Sequence, residues 1–478
     1  MSFHSYVYIL AFLPVTALMY WLVQAHDRTA AKGILILASF VFYAWANPVL
    51  ALFLAGYAVL NYLLVHLVTN RPKLLWIAVI LDVFILGYYK YTGFLLDTWN
   101  VLFQSQKTFT ALLAPLGLSF LTFRMISALA DAAKQKLHDV SFINFLLYAS
   151  FFPVLIQGPI VYYNEILDQF DSSALRPDAA QFAGGMRRII CGLAKKLLLA
   201  DMLGKIVAWG FSSIAEAGTT ELAIVALCYT LQLYFDFSGY CDMANGSASI
   251  LGITLPENFD SPYRAISIGD FWRRWHITLS RFLKDYVYFP LGGSRKGPWK
   301  TYRNTMIIFL ISGIWHGAAW TFLVWGAVHG LLVCLERAFR PVLEKVPSLL
   351  RWFVTFLLVN VLWVLFRAES FAQFSQYVMQ FFRLNQFSVS GGLNLSLSAV
   401  EVDFLQALVW DGPGSYQRFH SLLFLILVIG SFLFAVSGKD NAKGRVRFTP
   451  ASAVVFSLLF VYCLLSMSGV TEFLYQRF

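Results

Sequence analysis

The chain has 478 residues, 59% hydrophobic and only 13% charged, with a net charge of +10. That balance excludes an ordinary soluble domain, in which about 25% of residues are charged, and it removes nucleic acid as the reason for the basic excess, because membrane proteins gather Lys and Arg on their cytoplasmic side. The five cysteines are odd in number and dispersed, which excludes a disulfide framework and zinc-ligand spacing.

Apolar stretches long enough to cross a bilayer, or nearly so, recur along the whole chain. In the first half they run Ser5 to Val23, Gly33 to Ala46, Pro48 to Val68, Leu74 to Gly93, Ala111 to Ala130 and Ile143 to Val161. Arg28 and Lys32 follow the first, the uncharged Asn47-Pro48 turn follows the second, and Arg71 and Lys73 follow the third, so alternation places the N-terminus outside. The first positive charge comes after the first apolar run, the reverse of a signal peptide, which predicts an uncleaved anchor. Met186 to Ala208 is interrupted by Arg187, Arg188, Lys195, Lys196 and Lys205, as expected of a helix lying partly at the cytoplasmic interface. Further stretches are Leu222 to Phe235, Thr305 to Ala318, Thr321 to Leu335, Trp352 to Phe366, Leu422 to Val436 and Ala451 to Met467. Several are shorter than a full span and fit broken or re-entrant helices. The pattern predicts an all-α polytopic membrane protein of roughly eleven crossings plus partial ones, organised as one integral domain over residues 1–478.

Two segments depart from membrane composition. Residues 237–304 are polar and basic: nine Lys or Arg stand between Ser261 and Arg303 against Asp270 and Asp285, which belongs in the cytoplasm or at its interface. Within it, Ser267 and Asp270 have capping-box spacing, and Phe271, Trp275, Leu279 and Phe282 recur at helical steps, predicting one amphipathic helix with His276 on its buried side. Residues 369–420 are polar with weak periodicity and, two spans away from the basic loops on either side, should face outward.

Residues 305–335 contain "GIWHGAAWTFLVWGAVHG", with His316 and His329 in apolar surroundings. His316 lies thirteen residues beyond Arg303, about 20 Å along a helix, past the bilayer centre. On one straight helix the two imidazoles would point about 220° apart, too far to share a metal ion. Gly317, Ala318 and Ala319 supply a break, and the basic ends at Arg303 and Arg337 require one, so a buried hairpin is expected. An ionisable group at this depth marks a functional site by default, and His316 suits a general base. Ser312, one helical turn away, offers a serine–histidine pair, although small serines also line helix contacts. HExxH and other metal motifs are absent, "GGSRKG" has Pro298 where a Walker lysine would stand, and Asp236 and Asp242 lack the spacing of a calcium loop.

Taken together, "DFWRRWHITLS" (270–280), "LGGSRKG" with "YRN" (291–304), "GIWHG" (313–317), "LYFDFSGYCDMA", "NFDSPY", "PLGLSFLTF" (115–123) and "FFPVLIQGPI" (151–160) resemble the membrane-bound O-acyltransferase family. The likeness is to its bacterial branch, which serves O-acetylation of alginate, peptidoglycan and cellulose. The resemblance implies a ring of helices around a tunnel crossing the inner membrane, with His316 as the catalytic histidine and His276 as its essential companion. It implies an acyl thioester donor, acetyl-CoA or an acyl carrier protein, with no tightly bound cofactor and no metal. It also implies a separate periplasmic esterase-like acetyltransferase as partner, besides membrane lipids. Arg273 and Arg274, with Arg281 and Lys284, could attract donor phosphates, while Trp315, Trp320 and Trp325 would exclude water. Asp236 and Ser312 complete the set of candidate binding residues. Arg124, Val154, Gln157 and Cys241 depart from the branch's pattern, none of them at the two histidines. The competing readings are a multi-span transporter of a lipid-linked sugar or solute and a non-catalytic export scaffold.

Overall fold

The computed structural model describes residues 1–45, 47–108, 114–171, 177–397, 415–438, 449–469 and 471–474. Among these residues the regular structure is helical, apart from a single β-bridge between Phe259 and Trp275. Seven helices are long and apolar enough to cross a membrane. The N-terminal third comprises α1 (Leu13–Gln24, continuing a π-helical turn from Val7), α2 (Arg28–Ala44), α3 (Pro48–Asn70), α4 (Leu75–Lys90), α5 (Thr92–Phe103) and α6 (Leu118–Ala133). Turn chemistry sets the boundaries: Asp27 accepts the N–H groups of Thr29 and Ala30, and Asn47 caps α3 with Pro48 as its first helical residue.

The stretch from Ile143 to Val161 is not one span. Helix α7 (Phe142–Ser150) ends at Phe151, α8 (Phe152–Leu155) adds one turn around Pro153, and the chain then runs unwound through Gln157, Gly158 and Pro159. A Cβ on Gly158 would lie 2.5 Å from the Val154 Cα, so only glycine permits this doubling back. Non-helical backbone is tolerated at such a position when protein covers it, and residues 151–161 are all buried.

After α9 (Tyr163–Asp171), α10 (Ala179–Ala194) passes through a π-helical segment, Lys195–Ala200, into α11 (Asp201–Ser212), and together they pack antiparallel along α12 (Thr219–Ile250). Glycines make the contact close: added Cβ atoms would meet backbone at Gly185 against Gly246 and at Gly192 against Gly239. The basic residues between Met186 and Ala208 are therefore not all interfacial. Lys195 Nζ lies 2.7 Å from Asp242 and Lys196 Nζ 2.9 Å from Asp236, both cations buried against their counter-charges, and the half-buried Arg188 reaches both Asp242 and Glu257. Helix α12 also runs well past Phe235, so residues 237–250 belong to the buried bundle and the polar segment begins only at Leu251.

The predicted single amphipathic helix is broken. Ser267 caps α13 (Ile268–Arg274) as its spacing suggested, but the helix stops before Trp275, and α14 (Ile277–Leu283) starts afresh. Next come α15 (Pro298–His316), α16 (Trp320–Ala338), α17 (Arg340–Leu343), α18 (Ser348–Arg367), α19 (Phe371–Phe381), α20 (Gly391–Leu395), α21 (Ser415–Val436) and α22 (Pro450–Leu465). The expected hairpin between Thr305 and Leu335 is present as α15 and α16, joined over residues 317–319. Its seam is closest where Gly313 of α15 and Gly326 of α16 are in backbone contact, with Gly330 one turn on against Met306 and Phe309. Of the polar segment 369–420, the described part folds back on the start of α12 through Thr219 and Gln380; residues 398–414 lie outside the described residues.

Candidate active site

Two helix ends meet at His316. It is the last residue of α15, 2% exposed, and its ring packs edge-on against Trp315, Trp325 and Phe366 at centroid distances of 5.0, 5.2 and 5.5 Å. A helix C-terminus leaves its last carbonyls without intrahelical donors. Here the end of α4 supplies them: Lys90 Nζ donates to the carbonyls of Trp315 (2.6 Å) and His316 (3.3 Å), and the Tyr91 hydroxyl donates to that of Ile314 (2.7 Å). Trp315 Nε1 in turn donates to the Ser119 carbonyl, tying the first turn of α6 to the same point. Gly317 is glycine for space, since a Cβ there would lie 2.1 Å from the Phe322 ring.

A cavity of about 130 Å³ opens against His316, lined also by Lys90, Trp315, Gln157, Ser119 and the Leu116–Leu118 turn. Among the described residues, Lys90 is the only lysine, arginine or carboxylate lining it.

His276 also packs against Trp315, its ring 5.8 Å from the indole, 4.9 Å from Phe237 and 6.1 Å from Phe120. It is fully buried and sits between α13 and α14 with φ 45°, a left-handed conformation uncommon for a residue with a side chain. The break is imposed by residues 258–260: Ile277 N–H bonds the Asn258 carbonyl, Asp260 N–H bonds that of Arg274, and Phe259 bridges Trp275. Asn258 also sets the imidazole. Its Oδ1 accepts from the Thr278 N–H (3.2 Å) and hydroxyl (2.7 Å) while its Nδ2 donates to Cys241 Sγ (3.3 Å), which fixes the amide's orientation. The 3.4 Å contact from His276 Nδ1 to that oxygen is then a donation, leaving Nε2 as the bare nitrogen, with no hydrogen-bond partner among the described residues.

His329 is buried too, and Trp272 Nε1, a donor only, gives it a hydrogen bond at Nδ1 (3.2 Å). Together with its packing against Trp325 (4.7 Å), that makes it part of the hairpin's wall. Among the described residues no group of three or more His, Cys, Asp and Glu is arranged to hold a metal ion.

The other expected site residues divide. Trp315 touches both histidine rings. Ser312 is buried one turn below His316 but makes no hydrogen bond to it, and it does not line the cavity, so no serine–histidine pair forms. Asp236 is removed from the site: its carboxylate takes Lys196 and the Leu474 N–H. Arg273 is exposed, 3.3 Å from Asp270, and Arg274 is held by Asp270 and the Asp260 carbonyl. Arg281 is committed to Glu165 and lies over the Tyr162 ring; burial opposes its charge, but the Glu165 carboxylate outweighs burial and moves it above its ordinary value. Two departures from the family pattern prove to be near the histidines after all, Gln157 in the His316 cavity and Cys241 one residue away from His276 through Asn258. Arg124 instead packs over Tyr148 at 4.7 Å.

Lys90, Ser119 and Asn258 were not singled out by sequence. Lys90 had one signal, a lone cation at the end of an apolar run.

Residues 65–368 match the model of the membrane-bound O-acyltransferase family. The whole chain aligns with the "Peptidoglycan O-acetyltransferase" of Helicobacter pylori at 36% identity, covering 97% of that protein. Similarity to the "Probable alginate O-acetylase AlgI" of Pseudomonas aeruginosa is 38% identity over 82% of this chain and 78% of that protein. The "Teichoic acid D-alanyltransferase" of Bacillus subtilis is 29% identical over 48% of this chain and 60% of its own length.

Proposed function

This chain belongs to the membrane-bound O-acyltransferase family, and from that premise we propose that it carries an acyl group, acetyl in the first instance, from a cytoplasmic thioester to a hydroxyl on the far side of the bacterial inner membrane. The product serves O-acetylation of an extracytoplasmic polysaccharide, and a periplasmic esterase-like acetyltransferase completes delivery. The names of its relatives, which act on peptidoglycan and alginate, support acetyl transfer to a polymer of that kind.

The arrangement of His316 carries the reading. A buried imidazole borders a cavity large enough for a small acyl group, walled by Trp315 and apolar side chains, while Trp325 covers the imidazole from behind; apolar walls limit hydrolysis of a thioester. His316 acts as general base on the acceptor hydroxyl, and His276, packed against the same Trp315, is its companion with Nε2 available as a proton acceptor. Sidedness follows from charge. Helix α15 starts beside Arg295, Lys296, Lys300 and Arg303 and ends at His316; α4 starts beside Arg71 and Lys73 and ends at Lys90, and the two far ends meet. Both helices thus run away from their basic, cytoplasmic ends, in accord with an N-terminus outside. The donor, acetyl-CoA or an acyl carrier protein, approaches the basic face, where exposed cations such as Arg273, Lys284, Lys296 and Lys300 meet its phosphates.

His316→Ala tests the proposal: polymer acetylation should fall by about 10³-fold while polymer export and the amount of protein in the membrane stay normal. Retained acetylation would overturn it, and lost export would favour a transporter.

A further inference from the structure

We propose that Lys90 and Ser119 form the oxyanion site of the acyl transfer, a step that rests on the reading of His316 as its general base. An ammonium is expensive to hold among apolar helices and is placed there for a partner or a reaction. Among the described residues the hydrogen-bond partners of Lys90 are the carbonyls of Trp315 and His316 and, at 3.5 Å, the Ser119 hydroxyl; none carries a full negative charge. Two of its three protons are spent on capping α15 beside the histidine. The third is given to the weakest of these contacts, on the side that lines the cavity. Ser119, accepting that proton, keeps its own O–H to donate. The first turn of α6 also borders the cavity at Leu118, Ser119 and Phe120, and its N–H groups add a positive end of a helix dipole to the same place. Positive charge and oriented donors thus converge next to the base, in a half-buried site where they are aimed in advance at the developing charge.

The electron count follows the ordinary course of acyl transfer. The acceptor's O–H proton passes to His316 as its oxygen bonds to the thioester carbonyl carbon. The carbonyl π pair moves onto oxygen, and that anion displaces the long Lys90–Ser119 contact and takes hydrogen bonds from both. Return of the pair breaks the C–S bond, and the leaving thiolate takes the proton from the imidazolium, giving an ester and a free thiol.

The test compares two analogues of a phosphopantetheine thioester, the unit shared by coenzyme A and carrier proteins, with purified full-length protein. A trifluoromethyl ketone hydrates to a tetrahedral, ionisable diol, whereas the matching methyl ketone stays planar. In the wild type the fluorinated analogue should inhibit about 10²-fold more tightly. Lys90→Met should erase that ratio, leave the methyl ketone's inhibition constant unchanged, and lower kcat by about 10²-fold at nearly constant KM. Ser119→Ala, which leaves the helix cap in place, should reduce the ratio severalfold and keeps the test available if Lys90→Met does not accumulate. Lys90→Arg should restore much of both. Tyr91→Phe removes a cap outside the cavity and should leave the ratio alone. If kcat falls in Lys90→Met or Ser119→Ala with the ratio unmoved, these residues only position α15 and the oxyanion site is overturned. Retained turnover in His316→Ala would instead overturn the acyl-transfer reading itself.

Discussion

Along α12 the buried Lys195 and Lys196 and the half-buried Arg188 each meet a carboxylate, whereas the hydrogen bonds of Lys90, at the tip of α15, go among the described residues to carbonyl and hydroxyl oxygens. Both regions draw cations at least partly out of water, yet among the described residues only the first pairs them with carboxylates. Paired charge of that kind joins helices; it offers nothing to a substrate, which is why Asp236 and Asp242 are architecture although their motif is shared with the family. A cation whose partners are dipoles still has field to spend. The comparison therefore separates charges that pair helices from Lys90, the cation assigned to chemistry.

The sharpest way to break this contrast is to unpair the first region. Lys196→Met leaves the nearly inaccessible Asp236 without a cation and should destabilise the protein by about 3–5 kcal/mol, read as a lower unfolding temperature in detergent. Adding Asp236→Leu should recover most of the loss, while activity per folded molecule stays near normal. Around His276 the expected effect is smaller and falls on rate. Asn258→Ala strands the Thr278 donors and frees the imidazole tautomer, a loss of about 1–3 kcal/mol, or roughly 10- to 100-fold in kcat. Steady-state kinetics with acceptor and thioester would show it, and an unchanged kcat would remove Asn258 from the site. Gly317→Ala must push the Phe322 ring aside, at a cost of about 1–3 kcal/mol shared between stability and rate; parallel melting and activity measurements would apportion it. The smallest effect is expected at the exposed rim. Arg273→Ala should change stability by less than about 0.5 kcal/mol and raise the donor KM severalfold, a rise that high salt should abolish.

Much of this was legible in the sequence, for identifiable reasons. The hairpin could be read because glycines and the basic residues at Arg303 and Arg337 both demanded a turn after His316. His316 itself stood out because an imidazole at that depth is uncommon. The break at His276 was not legible: Phe271, Trp275, Leu279 and Phe282 keep helical spacing through it, and the chain is pulled out of the helix by residues 258–260, a contact that periodicity does not encode. The run from Ile143 misled in the same way, although Pro153, Gly158 and Pro159 marked the place. Lys90 was hidden by habit, since a lysine at the end of an apolar run is normally taken to reach for the lipid headgroups. Its ammonium turns inward instead.

Lys90 and Tyr91 also fix how long α4 is allowed to be. Inserting one residue anywhere along that helix would rotate its tip by about 100° and lift it by about 1.5 Å, carrying both side chains off the three carbonyls they hold. Most spans can tilt or slide to suit a thicker or thinner bilayer. This one serves as a gauge set against its neighbour, so around it the surrounding lipid has to do the adjusting.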